Sequence, residues 1–249
     1  MKHLKNTVVS IIMFAVVFSI FAPTYASETV AESICVNPIK GLNPDFIMGA
    51  DISMLAEIEK NGGRYYDQNG VEKDCLQILK EHGINWIRLR LWNDPTTDAN
   101  GKAGNDIVTV NGSPAPEGTQ AGGGNCDEAT ITGLAVRAKG LGFKVLLDFH
   151  YSDFWADPGK QTKPKAWEEL TGEGLQDAVY HYTKTVLNNM KNAGAMPDMV
   201  QIGNETNSGM LWPDGKTSNG YAGWIGLIGL INAAAKKVLP RQHLHRKKI

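Results

Sequence analysis

The pair Asn204-Glu205, at the end of a predicted strand, carries the residue types that acid–base chemistry on a sugar requires. A carboxyl there can act as a general acid when its surroundings raise its pKa enough for it to protonate a leaving glycosidic oxygen. The neighbouring amide can hydrogen-bond a sugar hydroxyl. Alone, the pair fits a capping or salt-bridge role equally well, so the surrounding residues decide between the two interpretations.

Aromatic and hydrogen-bonding side chains are expected at the same end of the neighbouring strands. Trp92 ends the second predicted strand, and the segment 150–158, which includes Tyr151, follows the third. The loop after the fourth predicted strand carries Trp212. Aromatic rings stack on sugar faces while polar groups bind hydroxyls. These residues are therefore candidates for substrate contact.

Alternation along the predicted strands separates an apolar face from a polar one. The apolar face of the second strand consists of Ile87, Leu89 and Leu91. Arg88 and Arg90 share its other face, and Asp148 and His150 lie on the polar face of the third strand. The polar residues gather toward the carboxyl ends of the strands, which is where parallel barrels carry their chemistry.

The elements that position these residues follow from hydrophobic periodicity. Period-2 apolar runs alternate with helical stripes, which predicts βα units around a parallel sheet, an α/β fold. Strands are predicted over residues 46–51, 84–92, 143–150 and 199–204, and helices over residues 74–82, 129–139, 175–190 and 224–238. Trp86 and Trp224 are expected to be core residues. The Gly-, Asn- and Pro-rich residues 93–124 are too long for an ordinary connection and predict a functional loop.

The N-terminal residues 1–26 are predicted to be a secretory signal peptide. Lys2 and Lys5 precede an apolar run over residues 8–22, and small residues precede a cleavage point after Ala26. A buried helix or a membrane anchor is the alternative, but the run is shorter than a membrane span requires. We therefore expect a secreted, extracellular protein with no membrane association after cleavage, in which residues 27–45 lead into the folded domain.

Charge and cysteine content exclude several other classes of protein. The formal net charge is −1 and the isoelectric point is about 6.6, so no basic field favours nucleic acid. Cys35, Cys75 and Cys126 allow at most one intramolecular disulfide, and their spacing does not match a metal site. Cys75 is expected to be a small helix-core residue. We expect a monomer that binds neither a metal nor an organic cofactor.

Four motifs, in order along residues 45–239, resemble those of the endo-β-1,4-galactanases of glycoside hydrolase family 53. They occupy residues 46–53, 85–95, 144–160 and 200–207. The resemblance implies a (β/α)8 TIM barrel, of which residues 46–239 would be the first four βα units. It also implies a polysaccharide partner, because this family hydrolyses β-1,4-galactan in pectic arabinogalactan with retention of configuration.

The resemblance also assigns roles to individual residues. It implies that Glu205 is the acid/base residue, and that Arg90, His150 and Asn204 support the catalytic centre. The residues that it places in or near the substrate cleft are Asp51, Trp92, Asp153 and Trp155.

The chain departs from the family pattern in one respect that bears on catalysis. Retaining hydrolysis needs a second carboxylate about 5 Å from the first, and in this family it follows strand seven. Asp51 and Asp148 are the inward-facing carboxyls of the predicted strands, and neither has that position. Residues 240–249 form a basic, apolar-poor tail instead of a fifth strand. We expect a truncated chain that is inactive and poorly folded, with any calcium site of the family in the missing half.

Two alternative functions remain open on the sequence. A non-catalytic galactan-binding protein could keep the aromatic cleft without the nucleophile. A related barrel glycosidase acting on β-mannan or β-glucan could share an Asn-Glu pair after strand four. The long motif over residues 150–160 favours galactan.

Overall fold

The computed structural model describes residues 37, 39–43 and 45–238. The chain divides into two compact units, residues 1–44 and 45–249. In the first unit, the described residues form a turn in which the N–H of Leu42 donates to the carbonyl of Ile39 at 3.4 Å. The predicted signal peptide, Cys35, most of residues 27–45 and the tail 240–249 lie outside the described residues.

The second unit is built on a sheet of four parallel strands. In chain order and in spatial order the strands are β1 (Gly49–Asp51), β2 (Trp86–Leu91), β3 (Lys144–Phe149) and β4 (Met199–Ile202). Over the described part of the chain, β1 and β4 are the edges of the sheet. The predicted βα organisation is confirmed. β1 is shorter than predicted, because residues 46–48 precede the ladder.

Five α-helices accompany the strands in the described residues. They are α1 (Leu55–Lys60), α2 (Cys75–Glu81), α3 (Glu128–Gly140), α4 (Gly172–Asn192) and α5 (Gly220–Val238). Side-chain caps define two of the starts: Asp74 accepts the N–H of Gln77 at 3.1 Å, and Asp127 accepts that of Thr130 at 2.8 Å. The sequence analysis predicted α2 to α5 but not α1.

The hydrophobic core lies between the apolar face of the sheet and the helices. The strand residues that are buried there are Ile87, Leu89, Leu91, Val145, Leu147 and Phe149. Trp86 is buried as predicted, and Cys75 is half-buried against the core. The prediction for Trp224 is wrong. α5 is buried through Leu227 and Leu230, and Trp224 is 53% exposed.

The long connections follow the strands at their carboxyl ends. We call them the β2 loop (residues 92–127), the β3 loop (residues 150–171) and the β4 loop (residues 203–219). Short pairings within them join Lys102–Ala103 with Asp106–Ile107, Thr109–Val110 with Ser113–Pro114, and Gly209–Met210 with Gly215–Lys216. Single turns of 3-10 helix cover Lys165–Trp167, Thr206–Ser208 and Thr217–Asn219. Within the described residues, no helix has the length and apolar character that crossing a bilayer would take.

Leu147 provides a test of this core. It is completely buried in the middle of β3, so Leu147→Ala is expected to lower the free energy of unfolding by about 2–5 kcal/mol. Urea unfolding followed by circular dichroism measures the change. The matched control is Val136→Ala on α3, where the side chain is 43% exposed and the expected change is within about 0.5 kcal/mol. Equal losses for the two variants would contradict the described core.

Candidate active site

Arg88 is the centre of a charged cluster on the polar face of the sheet. Its Nη1 donates to Asp51 Oδ2 at 2.6 Å, and its Nη2 donates to Asp148 Oδ2 at 2.5 Å and to Asn204 Oδ1 at 3.0 Å. The Asp148 side chain is completely buried. One guanidinium therefore binds two carboxylates and an amide that follows β4. Planar guanidinium groups suit this task because their donors are fixed in direction.

The strand register explains why these side chains meet. Arg88 is paired with Asp51 across β1 and β2, and Arg90 is paired with Asp148 across β2 and β3. Residues two apart on a strand share a face. Arg88 therefore reaches Asp51 directly and Asp148 diagonally, and the cluster needs no contribution from a loop until Asn204.

His150 is fixed in one tautomer by its neighbours. Its Nδ1 accepts the indole N–H of Trp92 at 3.3 Å and the backbone N–H of Ala156 at 3.2 Å. Because Nδ1 is an acceptor, the ring proton belongs on Nε2. Nε2 lies 3.2 Å from Asp148 Oδ2. His150 thus connects the Arg88 cluster to the β3 loop, in agreement with a supporting role.

Asn204 and Glu205 are held through their backbone and through the Asn204 amide. Asn204 Nδ2 donates to the carbonyl of Ala156 at 2.8 Å. The buried amide of Gln161 donates to the carbonyls of Asn204 at 2.8 Å and of Glu205 at 3.3 Å. The β3 loop and one strand arginine therefore fix the position of this pair.

The Glu205 backbone is left-handed, with φ 47° and ψ 48°. Such a conformation is uncommon for a residue other than glycine, and it occurs often at functional sites. Glu205 is exposed. Across the described residues, no hydrogen bond or ion pair engages its carboxylate, while the side chain of the neighbouring Asn204 is held by Arg88 and by the carbonyl of Ala156. The carboxyl is therefore free to meet a ligand.

An aromatic cluster lies beside the charged one. The Arg90 guanidinium carbon is 4.3 Å from the ring centre of Trp155, and the rings of Trp92 and Trp155 are 5.6 Å apart. Trp155 is partly exposed, but Trp92 is completely buried and its indole N–H is used by His150. Trp92 therefore packs against Trp155 from the buried side. The prediction that Trp92 contacts substrate is wrong, because its side chain is completely buried. The structure also places Arg88, rather than Arg90, on Asn204.

Tyr151 turns away from the site. Its backbone φ is 52°, its ring stacks on Phe149 at 5.3 Å, and its hydroxyl shares a 2.8 Å hydrogen bond with Thr183 of α4. Only 1% of the residue is exposed. The predicted substrate contact of Tyr151 is wrong, because the left-handed turn places the ring in the core under β3.

Asp153 is also buried, with 1% exposure. Its two oxygens accept the backbone N–H groups of Asp94 at 3.0 Å and of Lys165 at 2.8 Å. Burial raises the pKa of Asp153 to about 6, because the desolvation of the charged form outweighs these hydrogen bonds and the nearby Lys165 ammonium. Asp153 thus joins two loops, and its place in or near the substrate cleft remains a prediction.

Trp212 lies at a separate cavity of about 570 Å³ between the β2, β3 and β4 loops. The indole N–H donates to the carbonyl of Ser208 at 3.0 Å, and Lys216 Nζ lies 4.2 Å from the ring centre. The predicted substrate contacts of Trp212, Trp155 and Asp51 remain predictions, since all three are at least partly exposed.

Sequence reasoning missed the role of Arg88, Asp148 and Gln161. The first two could have been found from their strand faces, since they share the polar side with Arg90 and His150. Gln161 carried no such signal, because its contacts depend on the path of the β3 loop. Among the described residues, no group of three His, Cys, Asp or Glu side chains could hold a metal ion. The expected calcium site of the family stays a prediction.

Comparisons with known proteins give a consistent picture. The family described as Glycosyl hydrolase family 53 matches residues 47–247. An endo-beta-1,4-galactanase of Bacillus subtilis (strain 168) is 38% identical over 86% of this chain and 44% of its own length. An uncharacterized protein of Niallia circulans, in the bgaB 5′ region, is 46% identical over 70% of this chain and 40% of its own length.

A solved structure supports the same conclusion about the fold. The GH53 catalytic domain of Ignisphaera aggregans is 50% identical, with a TM-score of 0.71 over 82% of this chain and 51% of that one. The predicted (β/α)8 class is confirmed, and the four described βα units are part of such a barrel. The chain spans about half the length of the relatives that it matches.

The Arg88 cluster makes a prediction about stability. Arg88→Met removes the cation from the buried Asp148 carboxylate, so we expect a loss of about 3–5 kcal/mol in the free energy of unfolding. Urea unfolding at neutral pH measures it. The control is Arg137→Met, whose guanidinium lies 2.7 Å from both Glu59 and Asp74 on the surface and is expected to contribute about 1 kcal/mol or less. A similar small loss in both variants would show that the cluster does not support the fold.

Proposed function

Since the chain belongs to glycosyl hydrolase family 53, we propose that the protein hydrolyses β-1,4-galactosidic bonds in galactan or arabinogalactan, with Glu205 as the acid/base residue. The observation that carries the proposal is the contrast between the tightly held Asn204 side chain and the free Glu205 carboxylate. The Asn204 side chain and the backbone carbonyls of the pair are held by Arg88, Gln161 and the β3 loop, while the Glu205 carboxylate is exposed without a partner among the described residues.

The choice of galactan is supported by the Bacillus subtilis relative, which is an endo-beta-1,4-galactanase. The site offers what a neutral polysaccharide needs: a partly exposed indole at Trp155, and polar groups already fixed in position. Fixed groups lose little conformational entropy when a flexible polymer binds.

In the proposed reaction, protonated Glu205 donates to the glycosidic oxygen while the bond to the anomeric carbon breaks. We propose the retaining course, in which a second carboxylate attacks that carbon and Glu205 then removes a proton from the water that releases the sugar. Asp51 and Asp148 are poor candidates for the second carboxylate, because an oxygen of each is engaged in an ion pair with Arg88. No other carboxylate of the described strands faces inward, so the nucleophile is proposed to be absent from residues 45–238.

The same observation favours a second candidate function for the 249-residue chain by itself. With Glu205 exposed and both inward carboxylates paired, the chain would bind galactan without cleaving it. Release of galacto-oligosaccharides from galactan by the purified chain would rule this out. Export of the protein is a further proposal, supported by the charge and apolar pattern of residues 1–26.

Trp155 tests the binding part of the proposal. An aromatic contact is worth about 0.5–1.5 kcal/mol beyond the area that it buries, so Trp155→Ala is expected to weaken binding of β-1,4-galactotetraose by about 2- to 10-fold. Isothermal titration calorimetry on the purified chain measures the affinity. Trp224→Ala is the control, because Trp224 is 53% exposed on α5 and outside the site. Equal effects, or no binding by the unmodified chain, would contradict the proposal.

Glu205 tests the catalytic part. We would join residues 45–238 to the part of the Bacillus subtilis relative that this chain does not cover, and assay the chimera on galactan, β-mannan and β-glucan. Hydrolysis is expected on galactan. Glu205→Gln is expected to lower kcat by about 10²- to 10⁴-fold, because glutamine has the same shape but no proton to transfer.

Glu169→Gln in the same chimera is the matched control, since Glu169 is an exposed glutamate of the β3 loop. It is expected to leave kcat unchanged. Full activity of the Glu205→Gln chimera would remove Glu205 from the mechanism. Preference for mannan or glucan would reject galactan as the substrate.

A further inference from the structure

Asp153 joins two loops that are distant in sequence. Its Oδ1 accepts the backbone N–H of Asp94, which lies at the start of the β2 loop, at 3.0 Å. Its Oδ2 accepts the backbone N–H of Lys165, which begins a 3-10 turn in the β3 loop, at 2.8 Å. The carboxylate is 1% exposed. A buried carboxylate without a bound side-chain cation is costly, so this position calls for a specific reason.

The two loops also contact each other next to the aromatic cluster. The backbone N–H of Asn93 donates to the carbonyl of Ser152 at 2.8 Å, one residue before each partner of the Asp94–Asp153 contact. Trp155 follows Asp153 by two residues and lies over Arg90. The path of the β3 loop at Asp153 therefore sets the position of the Trp155 ring.

We propose that Asp153 is a positioning residue, whose side-chain oxygens fasten the β2 loop to the β3 loop and thereby hold Trp155 in place for stacking on a sugar. The sugar part of this statement rests on the proposed function. The loop part does not, because it follows from the two hydrogen bonds and their burial.

Each oxygen of Asp153 accepts one of the two loop hydrogen bonds, so an asparagine, whose amide has a single acceptor oxygen, can keep only one of them. The titratable groups around Asp153 are Asp94 and Lys165, which pair with each other at 3.0 Å, and Tyr182 of α4. Lys163 and Glu168 line the cavity beside Trp212, as Asp153 does. With the pKa of Asp153 at about 6 in the joined loops, the joined loops bind a proton more readily than opened ones, so loop order is expected to fall as the pH rises through about 6.

Global stability is expected to respond in the same direction. The folded-state pKa lies above the ordinary 3.8, so the folded chain binds a proton more readily than the unfolded chain. The contribution of Asp153 to the free energy of unfolding is then full below about pH 4 and is lost as the pH rises through about 6.

Amide hydrogen exchange between pH 4.5 and 7.5, corrected for the intrinsic rate, tests the proposal on the full chain. The protection of the Asp94 and Lys165 amides is expected to fall about tenfold as the pH rises through a midpoint near 6, together with a change in tryptophan fluorescence. Asp153→Asn is expected to protect these amides less than the original chain at low pH and to lack the transition. Urea unfolding of the two proteins is expected to show the advantage of the original chain shrinking as the pH rises from 4 to 6.

Asp157→Asn is the matched control. Asp157 is another aspartate of the β3 loop whose Oδ1 accepts two backbone N–H groups, of Gly159 at 2.8 Å and Lys160 at 3.1 Å, but both belong to its own turn. It is expected to leave the transition intact. If Asp153→Asn fails to fold, hydrogen exchange of the unmodified chain still tests the proposal. Protection of the Asp94 and Lys165 amides that does not change with pH would overturn it. Loss of the transition in Asp157→Asn overturns it as well.

Binding of β-1,4-galactotetraose, measured over the same pH range, separates this proposal from the proposed function. Affinity that weakens with the exchange transition supports both. An exchange transition without any galactan binding contradicts the proposed function and leaves the fastening of the loops supported.

Discussion

The Arg88 guanidinium is the interaction on which the rest of the described structure depends. It lies on the polar face of a four-stranded parallel sheet and contacts Asp51 on β1, Asp148 on β3 and Asn204 after β4. Burial of the Asp148 carboxylate is costly, and the cation beside it offsets that cost. The same group that makes the polar face of the sheet possible therefore also sets the position of the residue before Glu205.

From this centre the site divides into fixed and free parts. Arg88, His150, Asn204 and the buried Gln161 form hydrogen bonds with one another or with nearby backbone groups. The Glu205 carboxylate has no such contact among the described residues, and its left-handed backbone presents it at the surface. Strain at an exposed carboxyl beside a rigid polar scaffold is the arrangement expected of an acid/base residue rather than of a cap.

Periodicity and strand alternation were sufficient to predict the four parallel strands, α2 to α5, and the polar face that carries Arg88 and Asp148. They missed α1, which has six residues and no side-chain cap. They could not distinguish buried from exposed aromatic residues, because Trp92 is covered by Trp155 and its neighbours, and Tyr151 is turned into the core by a positive φ. Trp224 was misplaced because an apolar stripe does not reveal which part of it is covered. Gln161 depends on a long-range loop contact that leaves no local pattern.

The central claim is that Glu205 and Trp155 together form the site that receives a galactan chain. A crystal structure of the protein with β-1,4-galactotetraose bound tests it most directly. The account predicts a galactosyl ring stacked on Trp155 and a glycosidic or hydroxyl oxygen within hydrogen-bonding distance of the Glu205 carboxylate. A saccharide bound only in the cavity beside Trp212, or no bound saccharide at saturating concentration, would contradict it.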